Sequence, residues 1–198
     1  MTASFASLQQ HISFIIEIDK LKGVLRKNKP VTIERYENSA EHSWQVALLA
    51  LTMQPFASEP IAIDRVIQLL LVHDIGEIDA GDVIVYAEGN AAEREAEERA
   101  AVERIAGLLP APLYETIVTL WQEFEDRQTP EARYAHAMDR LMPILLNLHR
   151  QGQSWRENSV RKEQVLTTSV SKVIAACPDA GLWLQHELER AEQAGYFG

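Results

Sequence analysis

The stretch that decides the fold reads Leu69-Leu70-Leu71-Val72-His73-Asp74-Ile75-Gly76-Glu77, and Gly81-Asp82 follows it after three residues. Four apolar residues run directly into a histidine and an aspartate, and a glutamate follows three positions later. Core helices seldom end in this way, because each buried ionisable group needs a partner or a metal ion. On a helix, Asp74 and Glu77 share one face, and His73 lies about 100° around the axis from Asp74. The stretch therefore predicts a buried helix that directs an imidazole and two carboxylates into one cleft.

The composition is that of a globular chain with an acidic surface. The 198 residues are 46% hydrophobic and 24% charged, and 29 acidic against 19 basic residues give a formal charge of −10. This sign argues against a nucleic-acid polymer or an anionic membrane surface as a partner, although a bound cation can still attract a small anion. The single cysteine, Cys177, excludes an intramolecular disulfide, and no leader or membrane span is recognised. We therefore expect a cytoplasmic protein.

Apolar residues recur with a helical period along almost the whole chain, and no segment alternates convincingly like a β-strand. We expect an all-α bundle of about seven to nine helices, with a metal site in its central cleft. The first helix, at residues 7–21, carries so many large apolar residues that we expect it to be largely buried. Ser39 is the expected cap of the next helix, and Thr129-Pro130 is expected to open a long one. The charged run at residues 93–99 predicts a solvated helix face.

Four candidate metal ligands lie on predicted helices that are far apart in sequence: His42, His73, Asp74 and Asp139. His42 precedes His73 by 31 residues, and Asp139 follows Asp74 by 65 residues, so three helices must meet to form the site. Each residue alone would more often be structural, and the joint pattern is what favours a divalent cation. The other four histidines lack acidic neighbours at ligand spacing, and they are left unassigned: His11, His136, His149 and His186.

This pattern resembles the signature of the HD-domain metal-dependent phosphohydrolases, and more narrowly that of the YfbR-like 5′-deoxynucleotidase branch. The matching motifs are Ala40-Glu41-His42-Ser43, His73-Asp74, Glu77, Gly81-Asp82 and Asp139, with Leu21-Lys22 and Arg26 upstream. The resemblance implies a single HD domain over residues 1–198, with a metal-binding core at about residues 8–175 and helices at 176–198 packed on it. It also implies a homodimer. Trp155 and Trp183 are candidates either for the dimer contact or for the core.

The resemblance implies that one divalent cation per chain is bound by four residues: His42, His73, Asp74 and Asp139. The sequence does not choose among Mn, Co, Fe, Ni, Zn and Mg. Glu77 would orient or deprotonate the attacking water or protonate the leaving oxygen, and Asp82 would line the sugar side of the site. Arg26 would bind the phosphate. Lys27 stands where the branch tends to have an aromatic residue that excludes a ribose 2′-hydroxyl, so selectivity between deoxyribose and ribose stays open.

The chemistry of these side chains independently favours hydrolysis of a phosphate ester. A cation neutralises phosphoryl charge, a glutamate can move protons and an arginine binds the anion. We therefore predict a phosphomonoesterase that acts on (deoxy)nucleoside 5′-monophosphates. Two alternatives stay open: a hydrolase of a cyclic phosphodiester, a nucleoside triphosphate or another small phosphate ester, and a regulatory module that holds the metal without turnover.

Overall fold

The computed structural model describes residues 5–87 and 89–198, and these residues form a helical bundle. The first part contains α1 (Phe5–Ile18), a 3₁₀ turn (Asp19–Gly23), α2 (Ser39–Met53), a 3₁₀ turn (Gln54–Phe56), α3 (Ile63–Val72), α4 (Glu77–Ala80) and α5 (Ala91–Ala106). The second part contains α6 (Ala111–Asp126), α7 (Pro130–His149), α8 (Gln153–Glu157), α9 (Lys162–Val165), a π-helical turn (Leu166–Val170), α10 (Ser171–Ala176) and α11 (Pro178–Gln193).

The predicted all-α fold is confirmed. Within the described residues, the one β-type pairing is an isolated antiparallel bridge between Leu25 and Asn38, in the irregular segment before α2. None of the described helices combines the length and the apolar character that crossing a bilayer requires.

Helix α7 lies at the centre of the bundle, where it contacts α2, α3, α6 and α10. Its buried residues lie on nearly every side of the helix, as expected for a central element. The Tyr134 hydroxyl on α7 donates a hydrogen bond to the carbonyl of Ala50 in α2 at 2.8 Å, which satisfies a buried polar group. Fully buried side chains from five helices belong to the same hydrophobic core: Val46, Leu69, Trp121, Met138 and Leu184. Helix α7 is therefore held firmly against α2 and α3, which carry the candidate histidines.

Asn38 caps α2, so the prediction that Ser39 is the cap was wrong by one residue. The Asn38 side chain accepts a hydrogen bond from the Glu41 amide at 3.0 Å, and the Glu41 carboxylate accepts one from the Asn38 amide at 2.8 Å. This reciprocal capping box fixes the first turn of α2. The Ser39 hydroxyl instead donates to Glu77. Thr129 caps α7 as predicted.

Helix α1 is mostly exposed, so the prediction that it is largely buried was wrong. It has no buried residue, and its exposed large apolar side chains are Phe5, Leu8, Ile12, Ile15 and Ile16. The helix packs mainly on the 3₁₀ turn that follows it and on α5, and these elements cover only part of its circumference. Apolar side chains thus point outward on nearly every side of α1, whereas the described residues cover only one side of it.

The charged run at residues 93–99 of α5 is only partly a solvated face. Its first glutamates are exposed as predicted, whereas Glu98 and Arg99 are partly buried. The Arg99 guanidinium lies over the Trp121 ring, 5.2 Å from the ring centroid. Glu98 packs against Gly76, where a Cβ atom would lie 2.9 Å from the Glu98 carbonyl oxygen. The absence of a side chain at Gly76 therefore allows α5 to approach the turn that follows α3.

Candidate metal centre

Three helices bring His42, His73 and Asp139 together in the interior of the bundle. His42 lies in the first turn of α2, His73 directly follows α3, and Asp139 lies midway along α7. The Asp139 Oδ1 atom is 3.0 Å from His42 Nε2 and 3.7 Å from His73 Nε2. One possible ligand atom from each residue lies within 4.8 Å of the other two, so the three side chains can share one ion.

Hydrogen bonding orients the His73 ring toward this cluster. Its Nδ1 atom donates to the carbonyl of Leu70 at 2.8 Å, which leaves the lone pair on Nε2. The Nε2 atom is buried and has no hydrogen-bond partner in the described part of the chain, although it lies 3.1 Å from Asp74 Oδ1. A buried lone pair that faces carboxylate oxygens requires a positive charge between them, either a proton or a metal ion.

The electrostatics of His73 favour a positive charge at this position. Burial lowers the pKa of His73, but the charges of Asp74 and Asp139 outweigh it and raise the pKa to about 9. A cation competes with that proton, because only the neutral imidazole offers a lone pair. Imidazole and carboxylate donors suit several divalent transition metals. The residues present therefore fit a divalent cation.

Glu37 supports His42 and was missed in the sequence analysis. Its side chain is buried, and its Oε1 atom lies 3.6 Å from His42 Nδ1. A carboxylate at the second ring nitrogen favours the tautomer whose Nε2 lone pair faces the ligands. Glu37 belongs to the irregular segment before α2, whose backbone is fixed because the Arg26 amide donates to the Glu37 carbonyl at 2.9 Å. This segment has no helical or strand period, so the sequence carried no signal that the glutamate is buried.

Asp74, the fourth predicted ligand, lies beside the cluster of His42, His73 and Asp139. Its Oδ2 atom accepts a hydrogen bond from Arg26 Nη1 at 3.0 Å. Its Oδ1 atom faces His73 Nε2. The assignment of Asp74 as a ligand stays a prediction, and Oδ1 is the atom that would coordinate.

Arg26 reaches the centre of the site and meets four carboxylates. The oxygens nearest to its guanidinium belong to Asp74 at 3.0 Å, Glu37 at 3.4 Å, Asp82 at 3.5 Å and Glu77 at 3.7 Å. Burial lowers the pKa of Arg26, but the charges of Asp74, Asp82, Glu77 and Asp139 outweigh it and hold the pKa above its ordinary value. The guanidinium is therefore charged and held in place, as a phosphate-binding residue requires. That role stays a prediction.

Glu77 and Asp82 form one wall of the site. Glu77 accepts a hydrogen bond from the Ser39 hydroxyl at 2.5 Å, and burial together with the charge of Asp74 raises the pKa of Glu77 well above its ordinary value. Burial also raises the pKa of Asp82. Lys27 is exposed at the rim. Every predicted site residue except the fully buried His42 lines one cavity of about 260 Å³.

Helix α8 holds the segment that carries Arg26. The Gln153 side chain on α8 accepts a hydrogen bond from the Lys29 amide at 3.1 Å and donates one to the Lys27 carbonyl at 3.4 Å. The Asn147 side chain at the end of α7 in turn accepts a hydrogen bond from the second amide of α8 at 3.0 Å. Helix α7 therefore positions Arg26 through α8 as well as carrying Asp139.

His136, which the sequence analysis left unassigned, lies in the wall of the same cavity. The Phe124 ring lies between two imidazoles, with centroids 5.0 Å from His73 and 5.8 Å from His136. The cavity therefore continues past His73 and Asp139 along α7. The other three unassigned histidines do not line it: His11, His149 and His186.

Glu98 lines the cavity from α5, and its titration predicts a pH-dependent change in stability. Burial and the charges of Glu125 and Asp74 raise its pKa from 4.5 to about 7. The folded state therefore binds more protons than the unfolded state between these values, and stability falls as the pH rises through them. We expect Glu98→Gln to raise the free energy of unfolding by about 1 kcal/mol at about pH 8, after allowance for partial exposure, and to change little at about pH 4.

Urea unfolding at the two pH values measures this effect. Glu97→Gln, an exposed position on the same helix, is the matched control and should show no pH-dependent difference. An equal change at both pH values in Glu98→Gln would contradict the prediction.

Comparison with known families agrees with this geometry. The model of the family described as "HD domain" matches residues 18–180, a range that includes every predicted site residue. This chain belongs to the HD-domain family. The predicted family is thereby confirmed.

Two solved structures are similar to this HD-domain protein. One, from Magnetospirillum magnetotacticum MS-1, is described as a predicted metal-dependent phosphohydrolase; it is 37% identical, has a TM-score of 0.92, and the match covers 100% of both chains. The other is an HD-domain phosphohydrolase from Listeria innocua, which is 18% identical with a TM-score of 0.69 over 91% of this chain and 89% of its own. The second likeness supports the fold alone.

Curated relatives of this HD-domain protein carry the name 5′-deoxynucleotidase HDDC2. The Danio rerio relative is 32% identical over 113 residues, which are 57% of this chain and 55% of the relative. The Xenopus laevis relative is 31% identical over 137 residues, which are 66% of each protein. The matched part thus spans just over half of the Danio rerio protein.

Proposed function

We propose that this HD-domain protein is a metal-dependent phosphohydrolase that removes the phosphate group from (deoxy)nucleoside 5′-monophosphates. The observation that carries the proposal is the convergence of two imidazoles, several carboxylates and a largely buried arginine on one centre inside the bundle. The Magnetospirillum structure supports the metal-dependent class, and relatives named 5′-deoxynucleotidase support a nucleotide substrate. The acidic balance of the chain argues for a small substrate rather than a nucleic-acid polymer.

We propose that one divalent cation per chain is held by four residues: His42, His73, Asp74 and Asp139. When bound, such a cation neutralises charge on the phosphoryl oxygens and lowers the pKa of a bound water. The two imidazoles would each present Nε2, because Glu37 and the Leu70 carbonyl lie at the opposite ring nitrogens. Mn, Co, Fe, Ni, Zn and Mg are the candidate ions, and a transition metal suits the imidazoles best.

Glu77 is the proposed proton-transfer residue. Its carboxyl lies 3.7 Å from Arg26. Its pKa is raised well above that of an exposed glutamate. A group tuned in this way can accept a proton from the attacking water or give one to the leaving oxygen. Asp82, which lies 3.5 Å from the same Arg26 nitrogen, would accept hydrogen bonds from the sugar hydroxyls.

Arg26 is the proposed phosphate ligand. Its planar guanidinium can make two parallel hydrogen bonds to phosphate oxygens, and the substrate would replace some of the carboxylate contacts. Lys27, exposed beside it, adds positive charge at the rim and supplies no aromatic wall against a ribose 2′-hydroxyl. We therefore propose that both ribonucleotides and deoxyribonucleotides are accepted.

We expect Arg26→Ala to raise KM for a nucleoside monophosphate about 10–100-fold, the loss that corresponds to hydrogen bonds between charged groups. Steady-state phosphate release and metal content are measured together, so that loss of the cation is recognised. Lys22→Ala, at an exposed position in the 3₁₀ turn, is the matched control and should leave KM unchanged. An unchanged KM in Arg26→Ala would exclude Arg26 as a phosphate ligand.

A phosphate-release screen tests the proposed reaction. Purified protein with Mn²⁺ or Co²⁺ should release orthophosphate from nucleoside 5′-monophosphates. Pyrophosphate or tripolyphosphate from triphosphates, or ring opening of a cyclic nucleotide, would identify one of the alternative hydrolases. Stoichiometric metal without turnover of any phosphate ester would identify a regulatory module.

We propose that residues 1–198 act as one HD domain in the cytoplasm. One hydrophobic core joins residues from Val46 to Ala191, so the C-terminal helices pack on the metal-binding core rather than forming a unit of their own. The buried, free thiol of Cys177 suits a reducing compartment.

We also propose a homodimer that covers the exposed apolar side of α1. Trp155 is fully buried and is therefore a core residue, whereas Trp183 is half exposed and stays a second candidate contact. A double variant Ile15→Glu, Ile16→Glu should halve the molar mass measured by light scattering, because charges would enter the apolar contact. Leu113→Glu, at an exposed position on α6, is the control. A wild-type mass of 22.3 kDa would contradict the dimer, and loss of the dimer in Trp183→Glu alone would place it on α11.

A further inference from the structure

Arg140 is a second arginine at the metal centre, and the proposed reaction does not use it. It follows Asp139 on α7, lines the same cavity as Arg26, and its side chain is 23% exposed. Arg26 lies against Asp74, whereas Arg140 lies beside Asp139. The two guanidiniums therefore lie against different carboxylates of the candidate metal centre.

Among the described residues, Arg140 has one ion-pair partner, and it is distant. Its Nε atom is buried without a hydrogen-bond partner in this part of the chain, and Asp139 Oδ2 lies 3.8 Å from it. Asp139 already serves two imidazoles through Oδ1. Glu125, on the same cavity wall, lies 3.6 Å from Arg127, so its charge is shared with that second arginine. A partly buried cation left in this way favours an anionic ligand.

Other cationic side chains and an imidazole lie near Arg140. Its Nη2 atom lies 3.5 Å from His136 Nε2. Burial and the positive charges of Arg140, Arg127 and Lys172 lower the pKa of His136 to about 3, so this imidazole is neutral and can accept a hydrogen bond. Arg127 lines the cavity, and its nearest carboxylate oxygen, on Glu125, is 3.6 Å away. Three cationic side chains therefore act on this imidazole: Arg140, Arg127 and Lys172. The carboxylates beside the two arginines are Asp139 and Glu125.

We propose that Arg140, with Arg127 at the rim and the His136 imidazole behind it, forms a second anion subsite that takes a phosphate group distinct from the one at Arg26. Arginine presents a planar fork that matches two oxygens of a phosphate. The group is either the second phosphate of a nucleoside bisphosphate or free inorganic phosphate. The subsite is supported by the set of contacts around Arg140. Only the assignment of its ligand as a nucleoside bisphosphate rests on the proposed function.

Phosphate binding to metal-stripped protein tests the subsite without any turnover. In this form Arg26 is engaged by four carboxylates, so inorganic phosphate should bind through Arg140. Isothermal titration should show saturable binding that weakens about tenfold or more in Arg140→Gln. Arg140→Lys keeps the charge and should retain part of the affinity. Arg190→Gln, an exposed arginine on α11, makes the same charge change outside the cavity and should bind like the wild type.

Equal affinity in the wild type and Arg140→Gln, or no saturable binding in the wild type, would overturn the subsite. A second arm uses metal-loaded protein to find the source of the anion. A lower KM for a nucleoside 3′,5′-bisphosphate than for the 5′-monophosphate, with the ratio reduced in Arg140→Gln, identifies a second substrate phosphate. Equal KM values identify inorganic phosphate as the ligand. If the protein does not hydrolyse nucleotides, only the KM comparison is lost, and the phosphate-binding experiment still tests the subsite.

Discussion

His73→Gln is expected to release the bound cation and, with it, nearly all phosphate release. Glutamine keeps an amide near the Leu70 carbonyl but lacks the imidazole lone pair that faces Asp139. Loss of a supporting partner already costs about 10–100-fold in metal affinity, so loss of a ligand should cost at least about 100-fold. Elemental analysis by plasma mass spectrometry and an orthophosphate assay on the same sample measure both effects.

The matched control for this prediction is His186→Gln. His186 is exposed on α11, and its ring contacts only the neighbouring Glu187 side chain among the described residues. Metal content and activity should equal those of the wild type in this variant. Full metal content together with full activity in His73→Gln would show that the cluster is not the metal site.

Glu77→Gln is expected to lower kcat about 10²–10⁴-fold while the cation stays bound. The amide preserves the size of the side chain and a contact to the Ser39 hydroxyl, but it cannot exchange a proton with water or the leaving oxygen. Glu77 lies outside the cluster of His42, His73 and Asp139, so metal content should be unchanged. Steady-state kinetics and elemental analysis of one preparation separate the two quantities.

Asp79→Asn is the control for Glu77→Gln, because Asp79 lies on the same short helix α4 and pairs with Arg104 at the surface. Its kcat should equal that of the wild type. A Glu77→Gln protein that keeps its kcat would exclude Glu77 from proton transfer. Loss of metal in this variant would instead make Glu77 a ligand.

The cluster was predictable from sequence because its residues lie on helices with a clear period. His42 follows the start of α2, His73 ends the apolar run of α3, and Asp139 lies within an apolar strip of α7. Their types and order match the signature of one family, and the structure brings them within ligand distance of one another. Helical periodicity thus placed each residue on a helix, and the resemblance to one family implied that the three helices meet.

The surroundings of the cluster were not predictable in the same way. Glu37 and Arg26 belong to an irregular segment whose shape depends on one isolated bridge and on side-chain contacts from α8. No periodic pattern reports such contacts, so the burial of Glu37 was missed. The partial burial of Glu98 was missed for a related reason. Glu98 stands in a run of charged residues, and this run does not show that α5 approaches the chain at Gly76.

The exposed side of α1 marks another limit of sequence reasoning. Apolar side chains on every face of a helix predict burial, and either the same chain or a second copy can bury them. In α1, the described residues of this chain cover one side only. Periodicity therefore predicts that a helix forms more securely than it predicts which surface buries it.

The most direct test of the account is a metal titration of stripped protein. Orthophosphate release from thymidine 5′-monophosphate is followed while bound Mn²⁺ or Co²⁺ is measured in the same sample. Activity is predicted to rise in proportion to bound metal and to reach its plateau at one ion per chain. Activity in the stripped protein, or no activity at one bound ion per chain with any nucleoside monophosphate, would contradict the account.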